Sequence, residues 1–232
     1  MCVATHRVLS MPIRTSAIRS LGAHFNVFAI ESFMDELAVA AGVDPLDFRL
    51  ARLDDERARD VLLAAAEAAG WKRRHEPATA RSDTGLGLAY ARYKNAGAYC
   101  AAVAEVEAAE SVQVRRVVVA VDVGQVISLD GVRNQIEGGA VQAVSWSLKE
   151  QVRFGQDGIT SLNWETYPIL RFSQIPQVDV IVVDRPGRPV LGAGECAAGP
   201  VAGAVANALF AAIGVRVRDL PLSTENVLRA IG

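Results

Sequence analysis

The apolar residues change period along the chain. In VFAIESFMDELAVAA, residues 27–41, Ile30, Phe33, Met34, Leu37 and Ala41 fall three or four apart, the spacing of one helix face. Gly42 follows as a stop. Asp44-Pro45 restarts a helix, with aspartate as N-cap and proline at the first helical position, where its lost N–H is not needed. A third helix is predicted from about 55 to 69, closed by Gly70. Residues 72–84, KRRHEPATARSDT, are polar and interrupted by proline, and read as a linker or exposed loop. Beyond them the pattern turns to strands. GLGLAYARYK, AYCAAVAEVEA and VQVRRVVVAVDVG follow one another, the last so rich in valine that it belongs in a core. A helix is predicted over about 129–149, an extended segment at YPILRF and a strand at VDVIVVD. A small-residue helix follows at 198–213, closed by Gly214, and a short last helix starts near Ser223 or Thr224. Helices, then strands, then a mixture describe an α+β protein rather than a regular doubly wound sheet. The expected division is a helical segment 1–71, a linker 72–84 and an α+β lobe 85–232.

Composition narrows the function. The 232 residues are 51% hydrophobic and 22% charged, with a net charge of −2, as in an ordinary globular protein. Basic residues cluster only in KRRH, which argues against nucleic acid as the main partner. Cys2, Cys100 and Cys196 are far apart without a CxxC, and His6, His24 and His75 lack metal spacing, so no metal ligand is assigned. No apolar run reads as a membrane span, and the first twenty residues lack the apolar core of a signal peptide. No GxGxxG follows a strand, and no phosphate-binding GxxxxGK[ST] exists.

Four places carry candidate chemistry. In IRSLGAHF, residues 18–25, Arg19 and Gly22 precede a helix start, where bare amides and a guanidinium can receive an anion; from the pattern alone a plain loop with a surface arginine is the favoured reading. In VRNQIEGGAVQA, residues 132–143, Gln135 and Gln142 are seven apart and share a helix face, and Gly138-Gly139 weakens the helix unless something approaches its backbone. A solvated face against a neighbouring helix is the rival reading. At Asp122–Gly124, DVG ends a buried strand and reads mainly as a turn. LGAGECAAGP, residues 191–200, sets one carboxylate, Glu195, between a glycine turn and an almost charge-free helix. A carboxylate there either has a hidden partner or has a raised pKa and handles a proton.

Together, RSLGAHFNVFAIESFMDELA, VRNQIEGGAVQAVSWSLKE and LGAGECAAGPVAGAVANALFAAIG, in this order, resemble the molybdopterin-binding large subunit of the xanthine dehydrogenase/aldehyde oxidase family, most nearly its isoquinoline 1-oxidoreductase beta-subunit type. The resemblance implies a molybdenum-cofactor-binding fold. It implies Mo-molybdopterin, in the plain or the cytosine dinucleotide form, and hydroxylation of an N-heterocycle or aldehyde carbon with oxygen from water. It implies Glu195 as general base and Arg19 beside the substrate, as catalytic residues. Gly192, Ala193 and Gly194 before the base, Gly22, and Gln135, Gly139 and Gln142 on the helix would contact the cofactor. Ser20 and Leu21 stand where the family more often has glycine and phenylalanine. The family's GGGFG loop and GQG motif are not in this chain. The chain therefore looks like the C-terminal third of a longer subunit. Its expected partners are a chain or segment carrying the remaining lobes and a small subunit with [2Fe–2S] clusters, with the cytoplasm favoured over the periplasm. A non-catalytic binding or assembly module of the same family is the alternative.

Overall fold

The computed structural model describes residues 6, 9–11, 13–73 and 82–232, so most of the expected linker lies outside the described residues. The chain begins with three helices, α1 (Ala23–Ala40), α2 (Pro45–Leu50) and α3 (Glu56–Ala68). Three strands follow, β1 (Thr84–Arg92), β2 (Tyr99–Ala108) and β3 (Val112–Asp122), then α4 (Leu129–Leu148). A small hairpin, β4 (Phe154–Gly155) and β5 (Gly158–Ile159), leads to β6 (Gln177–Val182), α5 (Ala198–Ile213) and α6 (Thr224–Ile231). The expected segment YPILRF forms no strand; a single 3-10 turn occupies Phe172–Gln174. Among the described residues no helix is long and apolar enough to cross a membrane.

The main sheet runs β1-β2-β3-β6, antiparallel except for the parallel pair β3–β6. Both faces are covered. Cys100, Ala102, Ala104 and Val106 of β2 face one core with α4 and α5, while Tyr99, Ala101 and Val103 face a second core with α3. This is the period of two expected of a strand buried on both sides.

Close packing on β1 explains its alternating sequence GLGLAY. A Cβ on Gly85 would lie 2.2 Å from the Ala208 carbonyl oxygen, and one on Gly87 would lie 2.0 Å from the Ala208 nitrogen. Glycine is needed because another backbone, that of α5, occupies the place of a side chain. On its other side α5 meets α1, where a Cβ on Gly199 would lie 2.9 Å from Val27. Helix α5 is thus buried on nearly all sides, as an uncharged helix should be.

Helix α1 reverses the simplest reading of its pattern. The apolar stripe that announces it points outward: Ile30 and Phe33 are 58% and 56% exposed. The buried side carries His24, Glu31, Ser32 and Asp35. Glu31 accepts from Arg49 Nε at 2.8 Å and from the Tyr90 N–H of edge strand β1 at 2.8 Å. Asn207 of α5 donates to the Leu88 carbonyl at 2.9 Å and to the Glu31 carbonyl at 3.2 Å. The polar face of α1 therefore satisfies the open edge of the sheet. At the same end of the sheet, on the third strand, buried Asp122 accepts from Arg57, Arg185 and the Gly124 N–H. The DVG motif is a buried ionic turn.

Candidate functional site

Four segments meet at Glu195: the loop that enters α5, the residues before α1, the turn after β1, and one face of α4. The Glu195 carboxylate accepts the Tyr93 hydroxyl at 2.6 Å on Oε2 and the Ser20 N–H at 3.1 Å on Oε1. The Ser20 hydroxyl donates to the Glu195 carbonyl at 2.6 Å. Both carboxylate oxygens have partners, so of the two alternatives raised by the sequence the hidden partner is the one observed. The anion received at the start of α1 is the chain's own.

Four non-glycine residues among those described adopt positive φ: Ser20 (70°), Leu21 (53°), Lys94 (49°) and Asn95 (56°). All four belong to the two segments that hold Glu195. Such conformations are unfavourable for residues with a Cβ and persist where the surroundings enforce them, most often at functional sites.

Arg19 ties the loop to the helix. Its Nε donates to the Gly194 carbonyl at 2.5 Å, and its Nη2 donates to the Gln135 carbonyl at 2.8 Å and to Gln135 Oε1 at 3.1 Å. Its Nε and Nη2 thereby serve carbonyl oxygens of the loop and of α4. A Cβ on Gly139 would come 3.3 Å from Arg19 Nη2 and 3.4 Å from Ala197, so Gly139 lets the guanidinium lie against α4. Gln142 lies two turns further along α4, half-buried, outside this hydrogen-bonded set among the described residues.

Electrostatics favours the ionised form of Glu195. The Tyr93 hydrogen bond lowers its pKa, burial opposes it, and the Ser20 N–H, Lys94 and Arg19 add to the lowering. Tyr93 moves the other way, up to about 12, through burial and through its hydrogen bond to Glu195. Of the two alternatives the sequence left open, the raised pKa is therefore the one the hydrogen bonds oppose. Glu195 is half-buried, and its donors outweigh its desolvation. Behind it, Cys196 and Cys100, remote in sequence, are both buried free thiols. The hydrogen bond between them and burial push Cys100 up. Nearby His24 is fully buried, its Nδ1 3.2 Å from the Ala198 carbonyl and its Nε2 without a partner among the described residues; burial lowers its pKa to about 4.

Several glycines here answer to no packing demand among the described residues. A Cβ on Gly192 would meet nothing within 4 Å, one on Gly194 only Gln135 Oε1 at 3.7 Å, and one on Gly138 only Arg19 Nη1 at 3.8 Å. Gly22 caps α1 with φ −77°, and its added Cβ would make ordinary contact with Asn26 at 3.4 Å. None of the four has the positive φ that favours glycine. With Ala193, they border Arg19 and Glu195 with bare backbone, the surface a flat ligand needs for close approach.

Tyr93 and the double role of Ser20 escape the sequence reading. Tyr93 sits in YKNAG, a turn signal that gives no hint that its hydroxyl reaches a carboxylate 102 positions away.

Residues 37–176 match the model of the molybdopterin cofactor-binding domain family. The chain is 42% identical over 95% of its length to the B subunit of nicotinate dehydrogenase from Pseudomonas putida. It is 37% identical over 88% of its length to the beta subunit of isoquinoline 1-oxidoreductase from Brevundimonas diminuta. It spans 20% and 26% of the lengths of these two relatives. Its fold superposes on that of the aldehyde oxidoreductase from Desulfovibrio gigas with a TM-score of 0.73 at 18% identity, over 93% of this chain and 41% of that one.

Proposed function

The chain belongs to the molybdopterin cofactor-binding family of xanthine dehydrogenase-type large subunits, and on that premise we propose that it forms the part of a molybdenum hydroxylase that carries the general base, Glu195. The observation that carries this reading is a carboxylate fixed at both oxygens by two left-handed backbone segments, beside glycines that the chain's own packing does not require.

Gly22, Gly138, Gly192, Ala193 and Gly194, with little or no side chain, fit a flat cofactor with polar edges, and Gln135, Gly139 and Gln142 would also hold it. When bound, Mo-molybdopterin, in the plain or the cytosine dinucleotide form, supplies a two-electron oxidation that places oxygen from water on carbon. Glu195 is held ionised, and each carboxylate oxygen keeps a free lone pair, so it can take a proton at neutral pH. Arg19 fixes the Gly194 carbonyl against α4 and so sets where Glu195 stands. In this reading Arg19 serves catalysis by holding the loop of the base. The substrate is an aromatic N-heterocycle or an aldehyde; the two relatives are named for nicotinate and isoquinoline, which favours the heterocycle. The remaining lobes of the large subunit and a small [2Fe–2S] subunit are the proposed partners.

Glu195→Gln in the assembled enzyme should lower kcat by about 10²–10⁴-fold, the range for loss of a general base, with molybdenum content unchanged. Turnover within a few-fold of the parent would overturn the assignment.

A further inference from the structure

We propose that Tyr93 is the positioning residue of Glu195: its hydroxyl orients the carboxylate, in partnership with the Ser20 N–H on the opposite oxygen. This rests on Glu195 being the base, and it adds a residue that neither the GxGE loop nor the sequence pattern points to.

Three observations carry it. The contact is short, 2.6 Å from hydroxyl to Oε2, as expected of a hydroxyl donating to a charged oxygen. The turn that presents Tyr93 is unusual. It is a 3-10 turn over Tyr93–Asn95 in which Lys94 and Asn95 both have positive φ, and the Tyr93 carbonyl receives the Gly97 N–H at 2.8 Å. Gly97 is fitted to it, since a Cβ there would lie 3.0 Å from that carbonyl oxygen. Finally, the two donors approach from separate segments and bind different oxygens, so together they restrict rotation about the terminal bond of Glu195 where one alone would not.

The charged and titratable groups facing the carboxylate are few. Tyr93 and Lys94 come from the turn after β1, Arg19 from the segment before α1, and Cys196 follows in its own loop. Lys94 lies over the Tyr93 ring, its Nζ 5.3 Å from the centroid, so the turn brings a donor and a positive charge together. A hydrogen bond to the charged form favours that form, so removing the hydroxyl raises the pH at which Glu195 ionises.

The test uses carbon-13 NMR of the Glu195 carboxyl in the 232-residue chain, with the signal assigned by its loss in Glu195→Gln. Tyr93→Phe keeps the ring and removes the donor; it should shift the Glu195 titration upward by about one pH unit, the tenfold change expected for one charge-assisted hydrogen bond. Replacing Tyr93 with 3-fluorotyrosine, a stronger donor, should shift it the other way, which keeps the test open should the phenylalanine variant fold poorly. Titrations unmoved in both variants would overturn the proposal. In the assembled enzyme, Tyr93→Phe should lower kcat and carry its acid limb upward by the same amount, with KM and molybdenum content unchanged. A moved titration with a fixed acid limb would keep the contact but overturn its role in turnover, and with it the assignment of Glu195 as base.

Discussion

Gly87→Ala puts the packing of β1 against α5 to a quantitative test. The added methyl would lie 2.0 Å from the Ala208 nitrogen, 2.3 Å from the Ala204 carbonyl oxygen and 2.6 Å from the Asn207 carbonyl carbon. All three are backbone atoms of one helix, so no rotamer change relieves them. To reach ordinary contact the helix must retreat by roughly an ångström or more, and a packed interior resists such shifts. Overpacking of this kind costs about 1–3 kcal/mol. With roughly 2–4 °C of melting temperature per kcal/mol at this size, a fall of about 2–12 °C is expected. Alanine is intrinsically better than glycine within a strand by about 0.5–1 kcal/mol, so any loss has a steric origin. Thermal unfolding followed by circular dichroism measures it, with Gly155→Ala as control, since a Cβ there meets nothing within 4 Å. The retreat also moves the entry of α5, and Glu195 with it, away from Tyr93. A Gly87→Ala melting point within a degree of both parent and control would refute the reasoning.

Gly138→Ala should act in opposite directions on the chain and on the proposed site. Its methyl meets only Arg19 Nη1 at 3.8 Å, so the mid-helix change should raise chain stability by up to about 1 kcal/mol, read by thermal melting, while molybdenum loading of the assembled enzyme falls; unchanged loading would show that the glycine is not kept for a ligand. His24 gives the chain a pH dependence of its own. Its folded pKa of about 4 lies below the unfolded value of 6.5, so the unfolded chain binds the proton first, and stability present above pH 6.5 is lost as pH falls toward 4, by about 3 kcal/mol. Urea titrations across that interval should show the loss in the parent and a flatter profile in His24→Phe; equal slopes would mean that His24 is not the group responsible.

Much of the architecture is legible in the sequence because local signals coincide with it. Asp44 accepts the Leu46 N–H as the N-cap the DP pair announces, and Ser223 caps the last helix through the Asn226 N–H. Gly42, Gly70 and Gly214 take positive φ where a helix was expected to stop. Small residues at 198–213 mark a helix buried all round. What fails to read correctly depends on partners remote in sequence. The stripe of α1 suggests that Ile30 and Phe33 face the core, yet the core side holds Glu31 and Asp35, since the edge of β1 and the Arg216 guanidinium need hydrogen-bond acceptors. The sequence motifs single out Arg19, Gln135, Gly139 and Glu195 separately, but not that Arg19 joins the loop of Glu195 to α4, because a guanidinium given to remote carbonyls leaves no mark in the sequence. The Tyr93 hydroxyl leaves none either. GLGL does carry a readable sign of β1, with glycine at every second position of a strand meaning that a backbone lies against one face.

The bond from Ser20 to Glu195 joins positions 175 apart, and the contacts of α1 with α5 close a loop of similar size. Closing so long a loop is slow, and its entropy must be met before the contact can form. On a ribosome adding about 5–20 residues per second, the segment holding Ser20 emerges roughly 9–35 s before the loop that holds Glu195. During that interval the polar face of α1 has neither Asn207 nor Arg216 to meet it, and the early helices wait with their buried charges uncovered. The site is therefore a late product of synthesis. The proposed base takes its place beside Tyr93 and Ser20 only once translation has reached the loop that enters α5.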